Sequence, residues 1–153
     1  MDVFNAADFL VHRHVRQDAG EKTALSGAVG RTYRELSEDV ATAAAGLRRI
    51  GLRRDDRVVM VMADGVEMAT GILAAFHGGF VAVPPSTMLL EGELATIIAD
   101  AGARAVIVTP EFVGTVARAL DTCPEATHLI IAGSFDGAAV RAACDQLRAA
   151  LAG

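Results

Sequence analysis

Short apolar runs alternate along this chain with longer segments in which apolar residues recur every three or four positions. The short runs stand at 57–62, 80–83, 104–108 and 128–132, and each has the length and two-sided apolarity of a buried strand. The segments between them have the period of an amphipathic helix. The pattern therefore predicts four parallel strands, joined by right-handed helical crossovers, in a three-layer α/β domain.

The clearest helix signal is TYRELSEDVATAAAGLRRIG, which begins at Thr32. Thr32 and Glu35 have the spacing of a capping box, and Gly51 is typical of the residue just past a helix. The predicted apolar face of this helix consists of Tyr33, Leu36, Val40, Ala44, Leu47 and Ile50.

The region before this helix is predicted to contain a first helix and a small hairpin. The first helix runs from Asn5 or Ala6 to about Val15. The hairpin pairs 23–26 with 30–32 around a glycine.

Each predicted strand is followed by a predicted helix. Asp64 is expected to cap the helix after the first strand, and a further helix is expected from Leu90 to Ala101. Pro110 is expected to open the next helix, at a position where its missing N–H has no cost. The last helix is expected to begin at Ser134 or Asp136.

The stretch GGFVAVPPS, 78 to 86, could be taken for a phosphate loop. In this fold class a phosphate loop runs from a strand into a helix, so that the anion meets the helix N-terminus. Here the glycines follow a helix and precede a strand. Gly78 is therefore predicted to be a helix C-cap and Gly79 a turn residue. The prolines end the strand, at the edge where open α/β sheets bind ligands, and a pocket near Pro84 to Thr87 is conceivable.

Most basic residues are scattered along the chain. The one cluster among them consists of Arg48, Arg49, Arg53, Arg54 and Arg57. They follow a predicted helix, where cations complement the helix dipole, and this structural interpretation is favoured over an anion or nucleic-acid contact.

Other candidate chemistry is weak. The turn IAGSFDG, 131 to 137, lacks the lysine and hydroxyl of GxxxxGK[ST], so an ordinary capped turn is favoured over an anion site. Cys123 and Cys144 do not have metal-ligand spacing, and no GxSxG occurs. His12 and His14 are expected on opposite faces of a helix. The residues alone assign no catalytic, cofactor-binding or metal-binding position.

Composition narrows the class of protein. The chain has 153 residues, a net charge of −5, one tyrosine and no tryptophan, which disfavours nucleic-acid binding. No apolar run approaches the roughly 20 residues of a membrane helix, and no signal peptide is evident. We therefore expect a cytoplasmic protein with no membrane partner, folded as a single α/β domain over 1–153.

Several segments resemble the adenylate-forming acyl- and aryl-CoA synthetase superfamily. TYRELSEDVATAAAGLRRIGL, 32 to 52, is similar to the "TYxEL…AxxLxxxGv" helix of that family. RRDDRVVMVM, 53 to 62, is similar to its "xxGDRV" strand entry, with Asp55 where glycine is usual. GILAAFHGGFVAVPPSTMLLEGEL, 71 to 94, resembles its "xxxGAxxxGxxxvPxnpxxxxxEL" segment, and DAGARAVIV fits the strand that follows. The opening NAADFLVHRHVRQDAGEKTAL, 5 to 25, looks most like the benzoate-type aryl-CoA ligases.

The resemblance implies a Rossmann-like fold equivalent to the N-terminal subdomain of such an enzyme. It also implies ATP-dependent activation of a carboxylic acid to an acyl-adenylate, followed by transfer to coenzyme A, with magnesium as the metal. The family's phosphate loop, its nucleotide-binding motifs and its C-terminal catalytic lysine have no counterpart here. Lys22, the only lysine, precedes the first helix–strand repeat and is not that residue.

Three interpretations remain open. The chain could be an N-terminal fragment of an aryl- or acyl-CoA ligase that is not catalytically competent alone, or one half of a split enzyme. It could also be a free-standing, non-catalytic module that binds a small molecule or a partner protein. The first two imply a partner, either the rest of the parent enzyme or a complementary chain, and exposed surface that favours a homodimer.

Overall fold

The computed structural model describes residues 4–133, which divide into two compact units. The first unit comprises 4–56 and 64–82, and the second comprises 57–63 and 83–133. The predicted last helix, with its start at Ser134 or Asp136, lies outside the described residues. No helix within 4–133 is long and apolar enough to cross a bilayer.

The first unit is a group of helices with a small hairpin. The predicted N-terminal helix is present, although its first part has π-helical hydrogen bonding. The hairpin strands pair antiparallel, as predicted, with an irregular register. The elements are a π-helical turn (Asp8–His12), α1 (Arg13–Arg16), β1 (Thr23–Leu25), β2 (Arg31–Thr32), α2 (Tyr33–Arg49) and α3 (Val66–Gly78).

Helix α2 begins with the predicted capping box. The backbone N–H of Glu35 donates to Thr32 Oγ1 at 3.2 Å, and the Glu35 carboxylate accepts from the Thr32 backbone N–H at 2.8 Å. Two N–H groups at the helix start are thereby satisfied. The chain leaves the helix at Ile50, and Gly51 adopts a φ of +100° that favours glycine.

Helix α3 corrects two sequence predictions. Asp64 does not cap it, because Gly65 occupies the N-cap position and no side chain accepts a hydrogen bond there. Gly78 is the last helical residue, and Gly79 is the C-cap, with a left-handed φ of +76°. Gly78 is needed for a different reason, since a Cβ there would lie 2.2 Å from the ring of Phe80.

The second unit contains three parallel strands that pair in register. These are β3 (Arg57–Val61), β5 (Ala105–Val108) and β6 (His128–Ile131). β4 (Val81–Val83) completes a four-stranded sheet with the order β4-β3-β5-β6, which confirms the predicted α/β class. The strands are flanked by α4 (Glu91–Asp100) and, after a 3₁₀ turn that opens with Pro110 as predicted, α5 (Val113–Leu120).

The core of the second unit explains why the sequences of its strands are apolar at successive positions: side chains on both faces of the sheet are buried. Every residue of β5 is buried, and so are four of the five residues of β3. Burial of a valine or isoleucine side chain contributes about 1.5–3 kcal/mol, so these strands hold much of the unit's stability. Residues from the strands, from α4 and α5 and from the adjoining loops form one cluster: Val59, Val61, Leu94, Ile98, Ala103, Val106, Val108, Val113, Val116, Ala119 and Cys123.

Candidate functional site

The first unit contains a cleft. It is formed by the C-terminal ends of α2 and α3 and by the loop 51–56. Its volume is about 570 Å³, within the range of roughly 300–1,000 Å³ that is usual for small-molecule sites. The lining residues are Asn5, Arg48, Leu52, Arg53, Arg54, His77, Gly78, Gly79 and Phe80.

Backbone hydrogen bonds fix the loop beside the end of α3. The N–H of Asp55 donates to the carbonyl of Gly79 at 2.8 Å, and the N–H of Val81 donates to the carbonyl of Asp56 at 2.9 Å. The left-handed conformation of Gly79 turns the chain so that both bonds can form. The two arginines that precede Asp55 are therefore held at the cleft by the backbone.

The floor of the cleft is apolar and its rim is basic. Leu52 and Phe80 are each only 5% exposed, whereas Arg48, Arg53 and Arg54 are exposed. Arg48 donates from Nη2 to the carbonyl of Gly78 at 3.2 Å, and so also satisfies a C-terminal carbonyl of α3. This combination suits a ligand with an anionic group and a less polar body.

A chain of hydrogen bonds leads from His77 on the cleft into the packing of the helices. His77 Nδ1 lies 3.0 Å from His12 Nε2, and His12 Nδ1 lies 2.6 Å from Ser37 Oγ. Burial lowers the pKa of His12 below its ordinary value of 6.5, and the neighbouring His77 lowers it further. Asp8 acts in the opposite direction, and Arg16 acts in the same direction as His77. His12 is therefore favoured in its neutral form.

Arg57, the last residue of the predicted arginine cluster, belongs to the second unit. It donates from Nε to the carbonyl of Ala101 at 2.6 Å and from Nη2 to that of Gly102 at 2.7 Å. It therefore stabilises the C-terminal end of α4, a different helix from the one that it follows in the sequence. Arg48 and Arg49 lie in the last turn of α2, in keeping with the dipole interpretation.

The carboxyl ends of the strands in the second unit offer few polar groups. Thr109 is buried, its N–H donates to the carbonyl of Val61 at 3.3 Å, and its Oγ1 accepts from Ala63 at 3.4 Å. Pro84 to Thr87, where the sequence suggests a pocket, contributes nothing to the lining of the cleft described above.

The other residues that the sequence offers for binding or catalysis have structural contacts in the part of the chain that the structure describes. Cys123 is buried, and its Sγ contacts the carbonyls of Ala95 and Ala119 at 3.4 and 3.3 Å. His14 stacks on Tyr33, with ring centroids 4.2 Å apart. Most of the turn 131–137 and Cys144 lie outside the described residues.

A magnesium site is not assembled by the residues that the structure describes. Across 4–133, no three His, Cys, Asp or Glu side chains converge as metal ligands would.

Comparison with known proteins decides the family. The model of a family described as AMP-binding enzyme matches residues 11–148. The chain belongs to the AMP-binding enzyme family. The resemblance found in the sequence is thereby confirmed at the level of the family.

Relatives within the family share a named chemistry. Benzoate–CoA ligase of Thauera aromatica is 34% identical over 132 residues, which cover 85% of this chain and 25% of the relative. A solved benzoate CoA ligase from Burkholderia xenovorans is 30% identical, with a TM-score of 0.78 over 86% of this chain and 26% of that one. The structure of an anthranilate CoA ligase in complex with anthranoyl-AMP gives a TM-score of 0.79 at 27% identity, over 88% of this chain and 26% of that chain. The chain thus spans about a quarter of the length of these family members.

Proposed function

We propose that this chain supplies the N-terminal part of an aryl-CoA ligase. The supporting observation is the family match over residues 11–148, together with 34% identity to a benzoate–CoA ligase. Such an enzyme joins a carboxylic acid to coenzyme A at the expense of ATP. A benzoate-type aromatic acid is the substrate class that the named relatives favour.

The proposed reaction has two steps. A carboxylate oxygen of the acid attacks the α-phosphorus of ATP, the bond to the β,γ-phosphates breaks, and pyrophosphate leaves with its electron pair. The sulfur of coenzyme A then attacks the acyl carbon, and AMP leaves.

Within this scheme the described residues provide a scaffold. The buried parallel strands of the second unit end together at one edge, where ligands bind in open α/β sheets. Among the described residues, that edge carries the buried side chain of Thr109. We propose that the phosphate-binding and catalytic groups come from the remainder of the parent enzyme or from a complementary chain. On this proposal, the chain is inactive by itself.

ATP–pyrophosphate exchange with benzoate and with a simple fatty acid tests the proposal. The full chain is assayed alone and mixed with the complementary part of a benzoate–CoA ligase, and that part alone serves as the control. We expect exchange only in the mixture, with benzoate preferred.

Other outcomes separate the alternatives. Exchange by the chain alone would contradict the proposal that it lacks the machinery. If neither the mixture nor either component catalysed ATP–pyrophosphate exchange, the ligase assignment would be contradicted. This result would favour a free-standing binding module.

A further inference from the structure

We propose that the basic cleft of the first unit is a binding site for a diphosphate group, either inorganic pyrophosphate or the diphosphate of a nucleotide. This inference does not rest on the ligase proposal, because it uses only residues of the first unit. None of these residues lies at the carboxyl ends of the strands in the second unit.

The first argument is that helix ends do not account for all the positive charge. Arg48 stabilises the end of α3 through the carbonyl of Gly78, but Arg53 and Arg54 lie in the loop beyond α2. The side chains of Arg48 and Arg53 are exposed and line the cleft. Arg54 Nε lies 3.9 Å from a carboxylate oxygen of Asp55, and both side chains are about four-fifths exposed. These cations are thus available to an anion.

The second argument is that the carboxylate of Asp56, three residues after Arg53, is engaged with the backbone of the loop. The Asp56 carboxylate accepts a 2.6 Å hydrogen bond from the backbone N–H of Arg53, which holds the loop in its fold. The whole chain carries a net charge of −5, so a general attraction of anions to the protein is not expected. Local concentration of guanidinium groups is therefore the feature that would select an anion.

The third argument concerns size and shape. A volume of about 570 Å³ exceeds what a single phosphate fills and matches a ligand with a larger body. Several guanidinium groups can pair with neighbouring phosphate oxygens, which favours a diphosphate over a monophosphate. The apolar floor of Leu52 and Phe80 could carry a nucleoside, whereas pyrophosphate would use the basic rim alone.

His77 gives the cleft a further polar group of fixed orientation. Its Nδ1 is held by His12 Nε2 at 3.0 Å, which leaves Nε2 as the ring nitrogen that can serve the cleft it lines. When His12 donates to Nδ1, neutral His77 carries its proton on Nε2 and can donate to a phosphate oxygen.

Backbone amide shifts of the ¹⁵N-labelled full chain test the proposal. Inorganic pyrophosphate, ADP and phosphate-free adenosine are titrated at low and at physiological salt. We expect saturable shifts at 52–54 and 77–80 with pyrophosphate and with ADP, and none with adenosine. Equal affinity for pyrophosphate and ADP would mean that the rim alone binds, whereas tighter binding of ADP would place the nucleoside on the floor.

Matched variants separate a site from a general charge effect. Arg53→Ala should weaken binding of pyrophosphate roughly fivefold. Arg53→Lys keeps the charge but not the planar guanidinium, and should restore only part of the binding. Arg49→Ala removes the same charge from the adjacent helix end, but this residue does not line the cleft. It should leave binding unchanged. Absence of shifts at these residues, loss of binding at physiological salt, or equal weakening by Arg49→Ala would overturn the proposal.

Discussion

At the scale of the residue, the two glycines of GGFVAVPPS have different physical tasks. Gly79 turns the chain out of α3 in a left-handed conformation that disfavours other residues. Gly78 has a helical backbone conformation that any residue can adopt. The ring of Phe80, however, occupies the space that a Cβ at this position would need. Only the second constraint depends on contacts that the local sequence does not specify.

We predict that Gly78→Ala destabilises the protein by about 1–3 kcal/mol. The added Cβ would lie 2.2 Å from a ring carbon of Phe80, and this ring is only 5% exposed, so it has little room to move. Urea unfolding measures the effect. Gly46→Ala is the control, because its Cβ meets nothing within 4 Å in the interior of α2. It should stabilise the helix by up to about 1 kcal/mol. Equal unfolding midpoints for the wild type and Gly78→Ala would contradict the packing argument.

At the scale of the element, His12 ties the N-terminal helical segment to α2 and α3. Its two ring nitrogens reach Ser37 on α2 and His77 on α3. Both bonds can form when His12 is a neutral imidazole. Burial among these helices lowers the pKa of His12 and so favours its neutral form.

We predict that acid weakens the first unit through His12. Because the pKa of His12 is lowered in the folded protein, the unfolded chain binds more protons once the pH falls below the ordinary value of 6.5. The free energy of unfolding should therefore be constant above this pH and decrease as the pH falls through 6.5 towards the folded pKa. The carboxyl groups of Asp8 and Glu35 also have lowered pKa values, but they act below their ordinary values of 3.8 and 4.5.

Urea unfolding between about pH 7.5 and about pH 5 checks this dependence. His12→Gln should be less stable at neutral pH but should lose less stability on acidification than the wild type. His128→Gln changes a histidine of the second unit and should keep the wild-type slope. If His12→Gln keeps that slope as well, His12 is not the responsible group.

At the scale of the whole molecule, two large apolar side chains that lie close together in the sequence are exposed. Met88 is 89% exposed and Leu90 is 73% exposed, two positions apart in the second unit. Scattered apolar residues are common on surfaces, but neighbouring ones favour association.

We predict that the isolated chain self-associates as its concentration rises, and that sedimentation velocity detects this. The double variant Met88→Ser with Leu90→Ser should reduce association, because it removes apolar surface without touching a buried residue. Val29→Ser is the control, since Val29 is 61% exposed on the hairpin of the first unit. A chain that stays monomeric at every concentration, or an equal effect of Val29→Ser, would contradict the prediction.

Sequence reasoning succeeded where the relevant interaction was local. The box of Thr32 and Glu35 spans three residues, so its residue types and spacing sufficed to predict it. The predicted cap at Asp64 was wrong. The free N–H groups at a helix start can be satisfied by a side chain, by water or by backbone groups, so the residue type alone does not decide which of these occurs.

The candidate site was harder to predict because its residues are distant in sequence. His12 and His77 are 65 positions apart, and no local pattern connects them. The arginines were recognised as a cluster, but the sequence did not show that Arg57 would turn to α4 while Arg53 stays at the cleft.

The sequence by itself determined the class of fold, the order of the elements and the family resemblance, because periodicity and capping depend on residues a few positions apart. Only the tertiary structure decided where the ring of Phe80 packs and which cations share a cleft with His77. These features depend on how distant segments pack, and the free energy of packing is set by contacts that no short stretch of sequence contains.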